Sequence, residues 1–175
     1  MKFTELYNKT LISEALKYHI ENGLSVTETI FRLGSDAHVD FINEVRTLWK
    51  EGKIELSDDD LIIIEKLKTG TKAVTRDGKE VVLDTPSRIT EPGRKRKFRV
   101  WRDSGKKDDE GRIIAKKIEW GDPNMKVRNM DDGARKSFLA RHQCHLKKDK
   151  DAAGWWACNV HLFHKQLGLE SDKPW

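Results

Sequence analysis

The chain has 175 residues, 37% of them hydrophobic and 36% charged, with a formal net charge of +5. That length holds one ordinary domain or two small ones, and six Trp and six Phe supply core-forming side chains that a disordered composition lacks. Two cysteines exclude a disulfide scaffold, and a longest strongly apolar run of only residues 61–64 excludes an integral membrane protein.

The N-terminus, Met-Lys-Phe-Thr-Glu-Leu-Tyr, carries no apolar signal region, so the expectation is an intracellular or virion protein. Leu11, Ile12, Ala15, Leu16, His19 and Ile20 recur at helical spacing over 10–23, and Gly23 is a natural stop. Ser35 caps the next predicted helix, whose buried face is Val39, Ile42, Val45, Leu48 and Trp49 and which ends at Gly52. Ser57 followed by three aspartates favours the positive end of a third helix, carrying Leu61, Ile62, Ile63, Ile64 and Leu67 and ending at Gly70. Arg76-Asp77-Gly78-Lys79 is a hairpin turn between Ala73-Val74 and Val81-Val82-Leu83. Pro86, Pro92 and Gly93 then punctuate a connector.

Charge changes sign there. Residues 1–93 carry 13 basic and 17 acidic side chains, 94–150 carry 19 and 9, and 151–175 carry 2 and 3. An acidic first half joined to a basic second half suggests two modules with different partners; charge spread merely for solubility is the alternative. Phe98, Val100 and Trp101 mark a strand, the charged Gly-rich stretch from Ser104 to Gly111 a turn, and 113–120 a second strand ending at Trp120. An isolated hairpin is unstable, so helices predicted at 131–142 and 151–167 must cover it. Phe138 and Leu139 mark a face of the first. Trp155, Trp156, Val160, Leu162, Phe163 and Leu167 surround much of the second, which is expected to be largely buried. These elements predict an α+β fold. A helical unit occupies 1–70, a hairpin and linker 71–93, and a basic module 94–175 in which a β-hairpin packs against two helices.

Several blocks carry a resemblance. Trp120-Gly121-Asp122-Pro123-Asn124-Met125, then Arg135-Lys136-Ser137-Phe138-Leu139-Ala140-Arg141-His142-Gln143-Cys144, then Trp155-Trp156-Ala157-Cys158 together resemble a module of uncharacterised tailed-bacteriophage proteins. Leu11-Ile12-Ser13-Glu14-Ala15-Leu16, Phe41-Ile42-Asn43-Glu44-Val45-Arg46 and Val82-Leu83-Asp84-Thr85-Pro86 also resemble phage proteins, so most of the chain is covered. Some of those proteins sit among head and structural genes. The resemblance implies a virus origin more than a chemistry. The chain departs from the pattern at Ala157, where Ser is usual. It also carries His161 and His164 where the usual ending is Lys-Met-Trp and the chain stops.

Three constellations could carry chemistry. His142, Cys144, Cys158 and His161 have the spacing H-x-C-x13-C-x2-H, with His145 and His164 nearby, and two thiolates with two imidazoles suit tetrahedral zinc. The sequence ranks plain packing of the two cysteines in a reducing compartment first, zinc second and a Cys144–Cys158 disulfide in oxidising surroundings third. The second is a basic belt of Arg94, Lys95, Arg96, Lys97, Arg99, Arg102, Lys106, Lys107, Arg112, Lys116 and Lys117, interleaved with Trp101 and Trp120. Cations neutralise phosphates and aromatics stack on exposed bases, so nucleic acid is one partner for it. An acidic protein surface, or solvent over a hairpin with core Trp, are the others. The third is Asp122, Arg128, Arg135, Ser137, Arg141 and His142, an acid–base possibility; a His142–Cys144 pair is too close in sequence for the usual nucleophile and base.

The expectation is a non-enzymatic structural or assembly protein of a tailed phage, a capsid or neck component, in the virion and in the host cytoplasm during assembly. Its partners are other virion proteins in a multi-copy assembly, met through Arg94, Lys95, Arg96, Lys97, Arg99, Trp101 and Arg112, with no membrane. The alternative is a phage nucleic-acid-binding factor stabilised by zinc at His142, Cys144, Cys158 and His161.

Overall fold

The computed structural model describes residues 12–127 and 131–169, together with the backbone of residues 2–3. The fold is α+β. Strand β1 (Lys2–Phe3) pairs antiparallel with β2 (Ile54–Glu55) beside three helices: α1 (Glu14–Glu21), α2 (Asp36–Lys50) and α3 (Asp58–Lys66). Each helix starts at a serine whose Oγ accepts the N–H three residues on: Ser13 from Leu16, Ser35 from His38 and Ser57 from Asp60. Leu11, at the start of the first apolar stripe, lies outside the described residues. Leu67 is extended, so α3 stops before Gly70, which holds φ +83 with Ile42 Cγ2 only 2.9 Å from where a Cβ would stand.

One five-stranded sheet follows, built from β3 (Lys72–Val74), β4 (Glu80–Val82), β5 (Ser87–Arg88), β6 (Phe98–Lys107) and β7 (Ile113–Trp120), in the order β4-β3-β7-β6-β5. Both expected hairpins are present, β3–β4 and β6–β7, and β3 joins β7 in parallel at Val74–Ile114. A bulge between Asp103 and Lys106 lets the Ser104 hydroxyl donate to the Ile114 carbonyl at 2.6 Å. The expected boundary at Pro92-Gly93 therefore does not separate units. The hairpin and linker at 71–93 and the basic module from 94 onward share this sheet.

The core crosses the other expected boundary as well. A single buried cluster runs from Leu16, Phe41, Ile42 and Ile63 in the helices, through Phe98, Val100, Ile118 and Trp120 on one sheet face, to Trp156, Phe163 and Leu169. The opposite sheet face carries a small cluster of Ala73, Leu83 and Ala115, against which Trp101 packs.

The chain then runs into α4 (Asp132–Arg141) and α5 (Ala153–Cys158), each followed by a 3₁₀ turn, at 144–146 and 160–163. The single helix expected over 151–167 is thus cut short. The break falls at Asn159, which leaves helical geometry (φ −104, ψ 16) and whose Nδ2 adds a second bond, at 2.8 Å, to the Trp155 carbonyl that its own N–H meets at 3.0 Å. Trp156 is fully buried between Trp120 and Phe163, with ring centroids 5.8 and 5.7 Å away, and its Nε1 donates to the Lys150 carbonyl. By contrast, α4 has no fully buried residue, and its Ala134, Arg135, Phe138 and Leu139 are half-buried.

Candidate functional site: a basic surface and an adjoining cleft

The basic belt is largely paired within the molecule. Arg99 donates to Glu91 and Glu119, both at 2.9 Å. Arg112 meets Asp108 and Glu110, Lys116 meets Asp151, and Lys117 meets Glu119. Arg102 enters a buried network: its Nη1 donates to both oxygens of Asp84, at 2.7 and 2.6 Å, and its Nε to Asp151 at 3.0 Å. Asp84 is wholly buried and also accepts the Lys68 N–H. Burial pulls the Arg99 and Arg102 guanidinium pKa values down, but their ion pairs together hold both up.

The basic tetrad splits. Arg94, Lys95 and Arg96 are exposed in the turn before β6. Lys97 is not a surface contact, as the sequence suggested, but a buried tie. Its Nζ donates to the Met125 carbonyl at 2.8 Å, and its N–H faces the Trp120 and Gly121 carbonyls. Burial, with Arg88 and Arg94 nearby, pulls its pKa down. Neither tryptophan of the belt is a free stacking platform. Trp101 packs on the small cluster, and Trp120 is 4% exposed between Phe98 and Trp156.

The four expected metal ligands do not assemble. Cys144 and Cys158 are bonded to each other, with Cα atoms 5.6 Å apart, so neither sulfur is a thiolate available to zinc. His142 is exposed and stacks on Phe138, with ring centroids 4.3 Å apart. His161 lies half-buried in the turn after α5, where burial first and Arg135 second lower its pKa. Among the described residues no group of three or more His, Cys, Asp or Glu is gathered to hold a metal. The cysteine reading ranked third in the sequence is the one the fold adopts, because Gln143 turns left-handed (φ 49) after α4 and brings Cys144 back onto α5.

That disulfide closes one wall of a cleft of about 530 Å³ between α4 and the end of the sheet. Trp120, Gly121, Asp122, Met125 and Val127 line one side, Arg135, Ser137, Phe138, Leu139 and Arg141 the second, and Ala157, Cys158, Val160 and His161 the third. These are the blocks singled out in the sequence, brought together from three separate segments. Four of the six acid–base candidates, Asp122, Arg135, Ser137 and Arg141, line it, whereas Arg128 lies outside the described residues. Gly121 makes the close approach at the cleft's end. It holds φ +77, and a Cβ there would stand 3.2 Å from both Lys97 Cβ and the Phe98 ring.

Sequence reasoning missed Asp84, Asp151 and Asp60. Asp60, read only as a helix-end charge, is buried and accepts the Ser25 and Ser57 hydroxyls and the Val26 N–H. The Ser57-x-x-Asp60 spacing of a capping box was the local signal for it. Asp84 gave no such signal, since its partner lies 18 residues away.

No helix among the described residues is long and apolar enough to cross a membrane. Comparison with protein-family models, with curated proteins and with solved structures finds no match for this chain.

Proposed function

We propose that the chain is a non-enzymatic assembly protein of a tailed-phage particle, at the head or neck, that binds neighbouring virion proteins in a multi-copy arrangement. The observation that carries this reading is the internal pairing of the basic belt. Arg99, Arg102, Arg112, Lys116 and Lys117 all face carboxylates of the same chain. Cations already paired release few counterions to a phosphate backbone, which weighs against a nucleic-acid groove. The exposed set that remains at the turn, Arg94, Lys95 and Arg96, is a compact patch suited to an acidic protein surface. Stable interfaces bury about 1,200–2,000 Å² in total, more than that turn offers, so a second contact surface belongs to the reading.

The test is mass spectrometry of purified virions, followed by infection with an Arg94→Ala/Arg96→Ala variant. A fixed copy number per particle and fewer filled, tailed particles by electron microscopy are the expected results. Normal particles that lack the chain would overturn the reading.

A second reading, nucleic-acid binding, is favoured only by the exposure of the same turn together with Lys106 and Lys107 at the hairpin tip. It predicts DNA affinity that falls steeply with salt and a shallower salt slope in the double variant.

A further inference from the structure

The cleft beside α4 has the composition of a recognition site and no occupant among the described residues. Its volume of about 530 Å³ lies within the range of pockets that take ligands, roughly 300–1,000 Å³. Its walls present Trp120, Val127, Phe138, Leu139 and Val160, and the two that α4 contributes, Phe138 and Leu139, are only half-buried. Met125 stands at the mouth, 66% exposed, an adaptable apolar side chain of the kind that protein-recognition surfaces use.

The polar groups of the cleft are unevenly matched. Arg135 and Arg141 both line it, and neither has a salt-bridge partner among the described residues. Against them stands the single carboxylate of Asp122, which already accepts the Asn124 N–H. The two arginines stand six positions apart on α4, about 9 Å along its axis and some 120° around it.

We propose that this cleft docks a segment of a partner protein that presents bulky apolar side chains flanked by carboxylates. The apolar side chains enter between α4 and the sheet end at Trp120, and the carboxylates meet Arg135 and Arg141. Two arginines over an apolar wall suit carboxylates on a peptide better than a run of phosphates, which needs a longer cationic track. The proposal rests on the protein-binding reading above and supplies the second surface that the exposed turn lacks.

The experiment is selection of displayed random 12-residue peptides on the intact chain, with counter-selection against an Ala134→Trp variant that fills the cleft. Ala134 is half-buried at the cleft and no α4 residue is fully buried, so that variant is expected to fold, and far-ultraviolet circular dichroism checks it. Expected are peptides with paired apolar residues flanked by Asp or Glu. The leading peptide should shift the Trp120 indole N–H resonance, and Arg135→Glu/Arg141→Glu should weaken it by about tenfold or more. Basic or uncharged consensus sequences, no enrichment, or peptides that bind the Ala134→Trp variant equally would each overturn the proposal. Acidic peptides selected on a chain that virions lack would sink the virion reading alone. No selected peptide, with the chain at fixed copy number in virions, would sink this one alone.

Discussion

Replacing Asp84 with Asn should destabilise the fold by about 3 kcal/mol. Removing one partner of a buried ion pair costs about 3–5 kcal/mol, because the other charge stays desolvated. Asp84 is fully buried and holds both Arg102 Nη1 and the Lys68 N–H, while Arg102 keeps Asp151 at 3.0 Å, which puts the loss at the low end. Asn is the clean substitution, since Asp84 stands at φ 53 and Asn tolerates that backbone. Ala adds about 1–2 kcal/mol of left-handed strain, so Asp84→Ala should cost about 4–5 kcal/mol. The assay is equilibrium unfolding in urea with a parallel thermal melt. For a chain of this size each kcal/mol shifts the midpoint by about 2–4 °C, so Asp84→Asn should melt about 6–12 °C lower. Arg102→Met alone should cost a comparable amount, and the double variant clearly less than the sum. A loss below about 0.5 kcal/mol for Asp84→Asn, the level of an ordinary surface change, would refute the reasoning.

Reduction, or Cys144→Ser with Cys158→Ser, should cost about 3 kcal/mol, the loop-closure value for a bridge spanning some 15 residues, read as a lower urea midpoint; an unchanged midpoint would show that α4 is held by other contacts. Gly121→Ala should destabilise by at least about 1 kcal/mol, through its backbone and the 3.2 Å contact with Phe98, and Gly111→Ala, open around its Cβ, should lack the contact part of that loss. Burial lowers the pKa of both His19 and His38, so the unfolded chain takes up protons more readily. Stability should therefore be full above about pH 6.5 and fall as the pH drops below it, before the carboxylate range is reached; equal urea midpoints at pH 7.5 and 5.5 would contradict this.

The sequence made local features legible and distant pairings opaque. Ser35 and Ser57 announce helices because a cap binds an N–H three residues on, and Asp77-Gly78 announces its hairpin for the same reason of short range. The cleft's lining was half legible: its three blocks were visible, their convergence was not. The parallel union of β3 with β7 leaves no mark near either strand, so Pro92-Gly93 read as a boundary although the sheet spans it. Lys97 looked like its three neighbours because nothing in a basic run says which member turns inward. The cysteine pair was ranked by compartment, and compartment says nothing about two Cα atoms brought 5.6 Å apart.

The place of β7 between β3 and β6 has a consequence for synthesis on the ribosome. β3 and β4 leave the ribosome first, yet the inner neighbour of β3 lies some 40 residues later, roughly 2–8 s at ordinary elongation rates. Trp156, at the centre of the shared core, arrives later still. Until then the nascent chain holds three capped helices, packed on one another, and one short hairpin, and the apolar side chains that later meet β6, β7 and Trp156 lack their cover. A polypeptide released early, ending near residue 93 or 120, would carry those faces into solution and be a substrate for chaperones and proteases. Only chains synthesised through Leu169 can close the core.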